Sequence, residues 1–469
     1  MTFDPTAPDA AAVARTYELD RRHVFHSWSA QSALDPMVVT HAEGCYVWDG
    51  RGRRMLDFSS QLVNTNIGHQ HPYVVEAIAA QARTLTTIAP QHANDQRSRA
   101  AQLISERAPG DLNRVFFTNG GADANEHAVR MARLVTGRPK VLSRYRSYHG
   151  GTQTAINLTG DPRRWPNDNG SSGVVHFFGP YLYRSHFHAT TEEEECQRAL
   201  THLRQVIELE GPDTVAAVLL EAVPGTAGIM LPPPGYLAGV RELCDKYGIV
   251  FIVDEVMTGF GRTGAWFVCD DEGVVPDLLT FAKGVNSGYV PLGGVVIGDR
   301  IAQHFADRVY PGGLTYSGHP LACAAAVAAI TVMEGAGIVD NARRIGDKVL
   351  GPGLAELQEK HPSVGEVRGR GVFWAVELVT DRESREPAAP NGGSSPVMAE
   401  AARAAKELGL LLFVNSNRLH VVPPCTITEE EAREGLALLD QVLTRVDTAV
   451  RQSGLIAAPA ELAATRSDS

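Results

Sequence analysis

The stretch FIVDEVMTGFGRTG, residues 251–264, decides how the chain is read. Together with Ile249 and Val250, its first residues make a run of β-branched and aromatic side chains that ends on two acids and a glycine-studded turn. Such a run, bounded by turn signals, reads as a strand buried on both faces, which belongs to a parallel sheet covered by helices. An acid at the mouth of that strand is costly to desolvate. Asp254 therefore calls for a basic side chain or a charged ligand as its partner. In an open α/β sheet, the crevice beyond the carboxyl ends of the strands is also where ligands bind.

Working outward, the rhythm from about residue 70 alternates helix and strand. Pro72–Thr84 and Ala122–Leu134 read as helices, and KVLSRY as a strand after Gly137-Arg138-Pro139. Thr190-Thr191 followed by four glutamates is a helix start, with an acidic first turn that suits the helix dipole, and that helix should end near Gly211-Pro212. Strand TVAAVLLEAV, helix GYLAGVRELCDKYG, strand IVFIVDEV and strand DLLTFAK follow. This is a three-layer α/β core with a mostly parallel sheet. CYVWDGRGRRMLDF, residues 45–58, alternates around an Asp-Gly turn and reads as an antiparallel hairpin outside that core. After about residue 335 come helix, the strands VGEVRGRGVFWAVELV and RLHVVPP, and a last helix near 428–446. The expected division is a large domain over 69–335, a small domain assembled from 1–68 and 336–450, and a loose tail over 451–469. Residues up to about 12 are also expected to be loose, being rich in Ala and Pro.

At 469 residues the chain exceeds one small core. Its composition is ordinary for a globular protein, and a net charge of -11 without any basic stripe argues against a nucleic-acid partner. The six cysteines (Cys45, Cys196, Cys244, Cys269, Cys323, Cys425) lack C-x-x-C spacing, which fits a reduced cytoplasmic enzyme better than a disulfide scaffold. No apolar stretch approaches membrane-spanning length. The pairs His69/His71 and His186/His188 have no third ligand at metal-site spacing, so no metal is expected.

Three features converge on the carboxyl edge of the expected sheet. FFTNGGADANE, residues 116–126, places a Gly-Gly-Ala turn between a strand and a helix, and the free N–H groups of a helix start favour phosphate. Asp254 is the second. Lys283, in LTFAKG, again ends an apolar strand, where a desolvated amine is a nucleophile. One ligand uses all three: pyridoxal 5'-phosphate, whose phosphate suits the turn, whose aldehyde condenses with an amine, and whose ring nitrogen stays protonated only beside a carboxylate.

FFTNGGADANEHAVRMAR, SYHGGT, VDEVMTGFGRTG, FAKG and GLTYSGHPLACAAA together resemble the class III, or ω-, aminotransferases among the fold-type I pyridoxal-phosphate enzymes. The likeness runs from about residue 35 to 445 and extends to taurine–pyruvate and β-alanine–pyruvate transaminases. It implies that Lys283 bonds the cofactor aldehyde and Asp254 pairs with the ring nitrogen. Gly121 and Ala122 would bind the phosphate, Tyr148 and Val256 would cover the two ring faces, and Glu221 would orient the strand mouth. Thr315 would reach the phosphate in a neighbouring subunit, which implies a homodimer with shared sites.

The departures bear on substrate. Met257 stands where acetylornithine-type relatives have glutamine, which leans toward ω-amine substrates. The slot of the family's mobile arginine holds Phe413, with Arg418 the nearest substitute. By resemblance, Ser60, Gln61 and Leu62 would line the amine pocket, and Arg144 or Arg146 would meet a sulfonate or carboxylate. The implied reaction is transfer of an amino group from an ω-amino acid, taurine-like aminosulfonate or amine to pyruvate or 2-oxoglutarate. An aminomutase, a racemase or a catalytically silent binding protein would use the same scaffold.

Overall fold

The computed structural model describes residues 4–168 and 173–453. Three N-terminal strands, Val39–Glu43 (β1), Tyr46–Asp49 (β2) and Arg54–Asp57 (β3), form an antiparallel meander. The expected hairpin is its second half. The central sheet contains Arg114–Thr118 (β4), Lys140–Arg144 (β5), Val174–Phe177 (β6), Val215–Glu221 (β7), Val250–Asp254 (β8), Leu278–Phe281 (β9) and Gly293–Ile297 (β10), in the order β4-β10-β9-β8-β7-β5-β6. All neighbours are parallel except β10, which runs antiparallel to both β9 and β4. Two reversals leave β4 pointing the same way as β8 and β9, so its C-terminal Gly-Gly turn opens on the same edge as Asp254.

Every residue of β7 and β8 is buried, and the alternation of a strand sends successive side chains to opposite faces. Val218, Leu220, Phe251 and Val253 join the large core with Leu203, Ile207, Leu237 and Val240 of the helices Glu192–Glu210 and Tyr236–Tyr247. Ala217, Leu219, Val250 and Ile252 join a second core with Ala124, Ala128 and Ala132 of the helix Gly121–Thr136. Two cores on two faces make the three-layer α/β architecture. These helices end and begin where the sequence signals it: Gly137 and Gly248 take the left-handed conformation after two of them, and the Thr191 side chain caps the start of the third at Glu194 N–H.

The C-terminal part adds Val364–Arg370 (β11), Phe373–Asp381 (β12), Glu386–Pro387 (β13), Leu410–Leu411 (β14), Phe413–Asn415 (β15) and Arg418–Val421 (β16). β11, β12, β16 and β15 form an antiparallel sheet with β13 on β12, while β14 pairs in parallel with β3 and so joins the two ends of the chain. The last helix, Glu429–Gln452, outruns its expected end because Leu439, Val442, Leu443, Val446 and Val450 continue its buried stripe. Most of the tail expected from residue 451 lies outside the described residues. The N-terminal expectation needs correction: a helix begins at Ala10, capped by the Asp9 side chain on Ala11 N–H. Among the described residues no single helix is long and apolar enough to cross a membrane.

Gly293 opens β10 where a side chain would not fit, since a Cβ there would lie 2.7 Å from the Gly120 backbone. Gly293→Ala should therefore push on the Gly120-Gly121 turn and lower stability by about 1–3 kcal/mol, read as a lower thermal midpoint.

Candidate active site

The sheet edge gathers three chemistries. Gly121–Thr136 starts at Gly120 with no side-chain cap, and its first helical N–H bond is Ala124 to Gly120 O, so the N–H groups of Gly121, Ala122 and Asp123 have no helical partner. Gly121 must lack a side chain because a Cβ would sit 2.9 Å from both methyls of Val256, and Ala122 is packed against Gly150. A second helix-start residue, Asn125, turns inward.

Asp254 is 3% exposed. Asn125 Nδ2 donates to its Oδ2 at 2.8 Å, His149 Nδ1 lies 2.8 Å from the same oxygen, and Val256 N–H donates to Oδ1 at 3.0 Å. Asn125 is oriented in turn by Thr280, whose hydroxyl donates to its Oδ1 at 2.8 Å. The buried Nε2 of His149 has no hydrogen-bond partner among the described residues. His149 and Asn125 were missed as site residues in the sequence. SYHGGT and the turn-helix stretch contain them, but nothing local indicates that both converge on an acid more than 100 residues away.

Beside Asp254 across the strand pair lies Glu221. Its carboxylate accepts Tyr148 N–H at 2.9 Å and Gly225 N–H at 2.8 Å, while burial pushes its pKa up. Lys283 follows β9 with a backbone φ of 45°, an uncommon value for a side-chain-bearing residue. Burial lowers its amine pKa, opposed by the charges of Asp254 and Glu221. Among the described residues Lys283 has no carboxylate within 4.0 Å, so it is not locked in a structural ion pair with Asp254.

A cavity of about 320 Å³ joins Gly120, Gly121, Ala122, Tyr148, His149, Glu221, Asp254, Val256 and Lys283. An uncapped helix start, an aromatic ring, a buried carboxylate and a buried amine around one space fit pyridoxal 5'-phosphate group for group. Lys283 and Tyr148 also line a second cavity, of about 470 Å³, which contains Leu62, Arg146, Met257, Phe413 and Arg418. Both Phe413 and Arg418 thus reach the cavity, one from each strand of the β15–β16 pair. Trp28 and Arg163, unforeseen in the sequence, line it as well, with the Arg163 guanidinium 3.6 Å above the Tyr148 ring.

A model of the family described as "Aminotransferase class-III" matches residues 28–443. The chain belongs to the class III aminotransferases. It is 32% identical over 472 residues to the taurine–pyruvate aminotransferase of Bilophila wadsworthia, covering 95% of this chain and 99% of that one. It is 34% identical to the 4-aminobutyrate aminotransferase of Escherichia coli strain K12 over 87% of this chain and 93% of that one. The crystal structure of the taurine:2-oxoglutarate aminotransferase of Bifidobacterium kashiwanohense, in complex with PLP and glutamate, superposes with a TM-score of 0.90 at 44% identity, covering 93% of this chain and 98% of that one. The enzyme is accordingly a pyridoxal-phosphate-dependent aminotransferase of fold type I.

Two sequence expectations are corrected. Arg144 does not meet the cavity: it is 3% exposed, its side chain fills the space beside Gly179, and it donates to Pro180 O at 3.4 Å. Of the Ser60-Gln61-Leu62 trio only Leu62 lines the cavity, joined by Val63; the Ser60 hydroxyl donates to Val422 O and the Gln61 amide to Asp57. Thr315, expected to serve a neighbouring subunit, is exposed and lines neither cavity of its own chain. Two of the histidines weighed as metal ligands have other partners: His69 contacts Asp57 at 2.9 Å, and the His186 ring packs tilted against Phe178.

The Lys283 shift has a measurable sign. Between the lowered folded pKa and the ordinary value of 10.5, the unfolded lysine binds a proton that the folded one does not. In the cofactor-free enzyme, the stability gain of Lys283→Met over wild type should be full below that window and shrink as pH rises through it. Urea unfolding of both proteins across alkaline pH checks this.

Proposed function

We propose that the enzyme moves an amino group from an ω-amino acid or taurine-like aminosulfonate to pyruvate or 2-oxoglutarate, in two half-reactions at one cavity. The observation that carries this reading is a surplus of buried positive charge facing Lys283. Arg146 and Arg418 line the larger cavity, and near them Arg184 and Arg368 take up the two carboxylates Glu366 and Glu377. Glu377 is engaged by Arg184 at 2.7 Å, Arg368 at 2.9 Å and the Tyr181 hydroxyl at 2.5 Å, and Glu366 by Arg368. Arg146 and Arg418 have no carboxylate within 4.0 Å among the described residues; Arg146 rests over the Tyr181 ring, and Arg418 is 3% exposed with its Nε unbonded. Burial brings the Arg418 pKa down to about 10, helped by the neighbouring Arg146 charge. Two unpaired guanidinium groups need an anion, and a substrate with an amine at one end and an acid at the other supplies it.

When bound, pyridoxal 5'-phosphate supplies an aldehyde that holds the substrate nitrogen and a ring that takes up the electron pair of the broken C–H bond. The Lys283 amine, freed when substrate binds, would accept the substrate-carbon proton and return it as general acid; burial lowers its pKa, which favours the neutral form that accepts a proton. Asp254, oriented by Asn125 and His149, would pair with the ring nitrogen. Gly121 and Ala122 would offer backbone N–H groups to the phosphate, and Tyr148 and Val256 would hold the ring. Glu221 fixes Tyr148 through its backbone N–H. We assign exposed Thr315 to the phosphate in a second copy of the chain, making the working unit a homodimer, and the six free, buried thiols support a cytoplasmic location. An aminomutase or racemase would retain the amino group; each relative described above is an aminotransferase.

The spectral experiment comes first. Taurine, β-alanine, 4-aminobutyrate and an arylalkylamine, added singly without keto acid, should include one that bleaches the long-wavelength absorbance of the bound cofactor, and pyruvate or 2-oxoglutarate should restore it. Absorbance that persists while substrate is isomerised would overturn transamination. Lys283→Ala should retain cofactor that dialyses away and lose turnover by roughly 10³-fold or more.

The charge surplus predicts a split by substrate. Arg146→Ala and Arg418→Ala should each raise KM for taurine or β-alanine by about 10- to 100-fold, the value of a buried charge-assisted hydrogen bond. KM for an arylalkylamine should stay within about threefold. Equal losses for both donors in initial-rate assays would remove the anion-binding role.

A further inference from the structure

Ser60, Gln61 and Val63 have φ of 44°, 60° and 60°, and none is glycine. At Gln61 ψ is -100°, outside the left-handed helical well. Conformations of this kind persist only where the surroundings over-determine them, and they gather at ligand clamps. What holds this segment is Asp57, the last residue of β3, whose carboxylate is fully buried. It accepts Ser59 N–H at 3.1 Å, the Ser59 hydroxyl at 2.7 Å, Gln61 N–H at 3.3 Å and the Gln61 side-chain amide at 2.9 Å, with His69 Nε2 at 2.9 Å. From the other side, the Ser60 hydroxyl donates to Val422 O at 2.6 Å and accepts from Arg262 at 3.1 Å. The segment is thereby pinned between β3 and the chain after β16. Its outer residues, Leu62 and Val63, form part of the wall of the larger cavity, which Lys283 also lines.

We propose that Asp57 is a positioning residue for donor selection: its carboxylate clamps the strained segment 60–63 so that Leu62 and Val63 stand at a fixed distance from the amine-binding end of the cavity. Asp57 touches neither cavity, so it acts through these two side chains. The wall sets how bulky a donor the cavity admits. This rests on the reading of the larger cavity as the donor site, and the wild-type enzyme tests that reading separately, because it must discriminate between β-alanine and an arylalkylamine before any variant is compared.

Two variants separate clamping from mere structure. Asp57→Asn keeps the shape but turns one acceptor into a donor facing groups that are themselves donors. Gln61→Gly removes one clamped amide and accepts the backbone conformation without strain. In both, the ratio of kcat/KM for β-alanine to that for the arylalkylamine should change by roughly tenfold or more, with the bound cofactor's absorbance unaltered. In Gln61→Gly the thermal midpoint should be no lower than in wild type, so that selectivity loosens without loss of stability. A folded Asp57→Asn or Gln61→Gly enzyme with normal absorbance whose donor ratio stays within about threefold of wild type overturns the proposal, as does an equal fall for both donors. If Asp57→Asn does not fold, Gln61→Gly decides alone.

Discussion

A carboxylate buried at the mouth of an all-apolar strand has to be surrounded by donors, and this requirement organises the site. Asp254 draws its donors from three places: Asn125 in the first turns of a helix, His149 in the loop beyond β5, and its own chain at Val256. Thr280 adds β9 by fixing the Asn125 amide. Four segments are thereby held in register by one charge. The uncapped helix start and the amine of Lys283 take their positions from it, because Asn125 is one helical turn from Gly121 and Lys283 lies three residues beyond Thr280. Losing a donor would leave a buried acid uncompensated, which costs more than the bond itself contributes.

The two ends of the site carry opposite electrostatic problems. At the strand mouths Glu221 and Asp254 are paired across β7 and β8, so two acids share one desolvated edge. Glu221 is held by two backbone N–H groups and is pushed toward its neutral form by burial and by the neighbouring acid. A cationic ring nitrogen and a lysine amine suit that edge. At the far end the arginines outnumber the acids. Glu377 spends its lone pairs on Arg184, Arg368 and Tyr181, which holds its pKa down to about 2 against the cost of burial. Arg146 and Arg418 are left over. Acids thus line one cavity and cations the other, and the two cavities meet at Tyr148 and Lys283.

How much of this was legible in the sequence follows from the range over which each signal acts. The buried strands, the glycine turn, Asp254 and Lys283 are local patterns: apolar runs ending in polar residues beside glycine. The class of chemistry could be read from them. Arg144 and Arg146 could not be told apart, because what separates them is the chain's departure from β5: Arg144 ends the strand and turns in beside Gly179, while Arg146, at φ 60°, swings to the cavity. Ser60 and Gln61 were misplaced for the same reason. Their side chains go to partners at Val422 and Asp57, and a strained backbone carries no compositional mark. The antiparallel β10 has the apolar content of its parallel neighbours, and direction is invisible to composition.

The stretch FIVDEVMTGFGRTG contains a second buried charge whose solution differs from the first. Arg262 is completely buried, yet among the described residues no carboxylate lies within 4.0 Å of it; burial lowers its pKa accordingly. Its hydrogen bonds go to the carbonyl of Pro423, to Asn66 Oδ1 at 2.8 Å and to the Ser60 hydroxyl at 3.1 Å. A guanidinium can be held this way, with only its Nε left without a partner among the described residues, because it is planar and carries five donors, which a lysine could not match. Its partners come from the N-terminal segment and from the chain after β16, so the central turn is stitched to both ends of the polypeptide. One stretch of chain therefore does two jobs: Asp254 gathers donors at the strand mouth, and Arg262 ties the turn to Ser60 beside the cavity wall. The two charges are held by separate groups, so the partners of Arg262 are independent of those of Asp254.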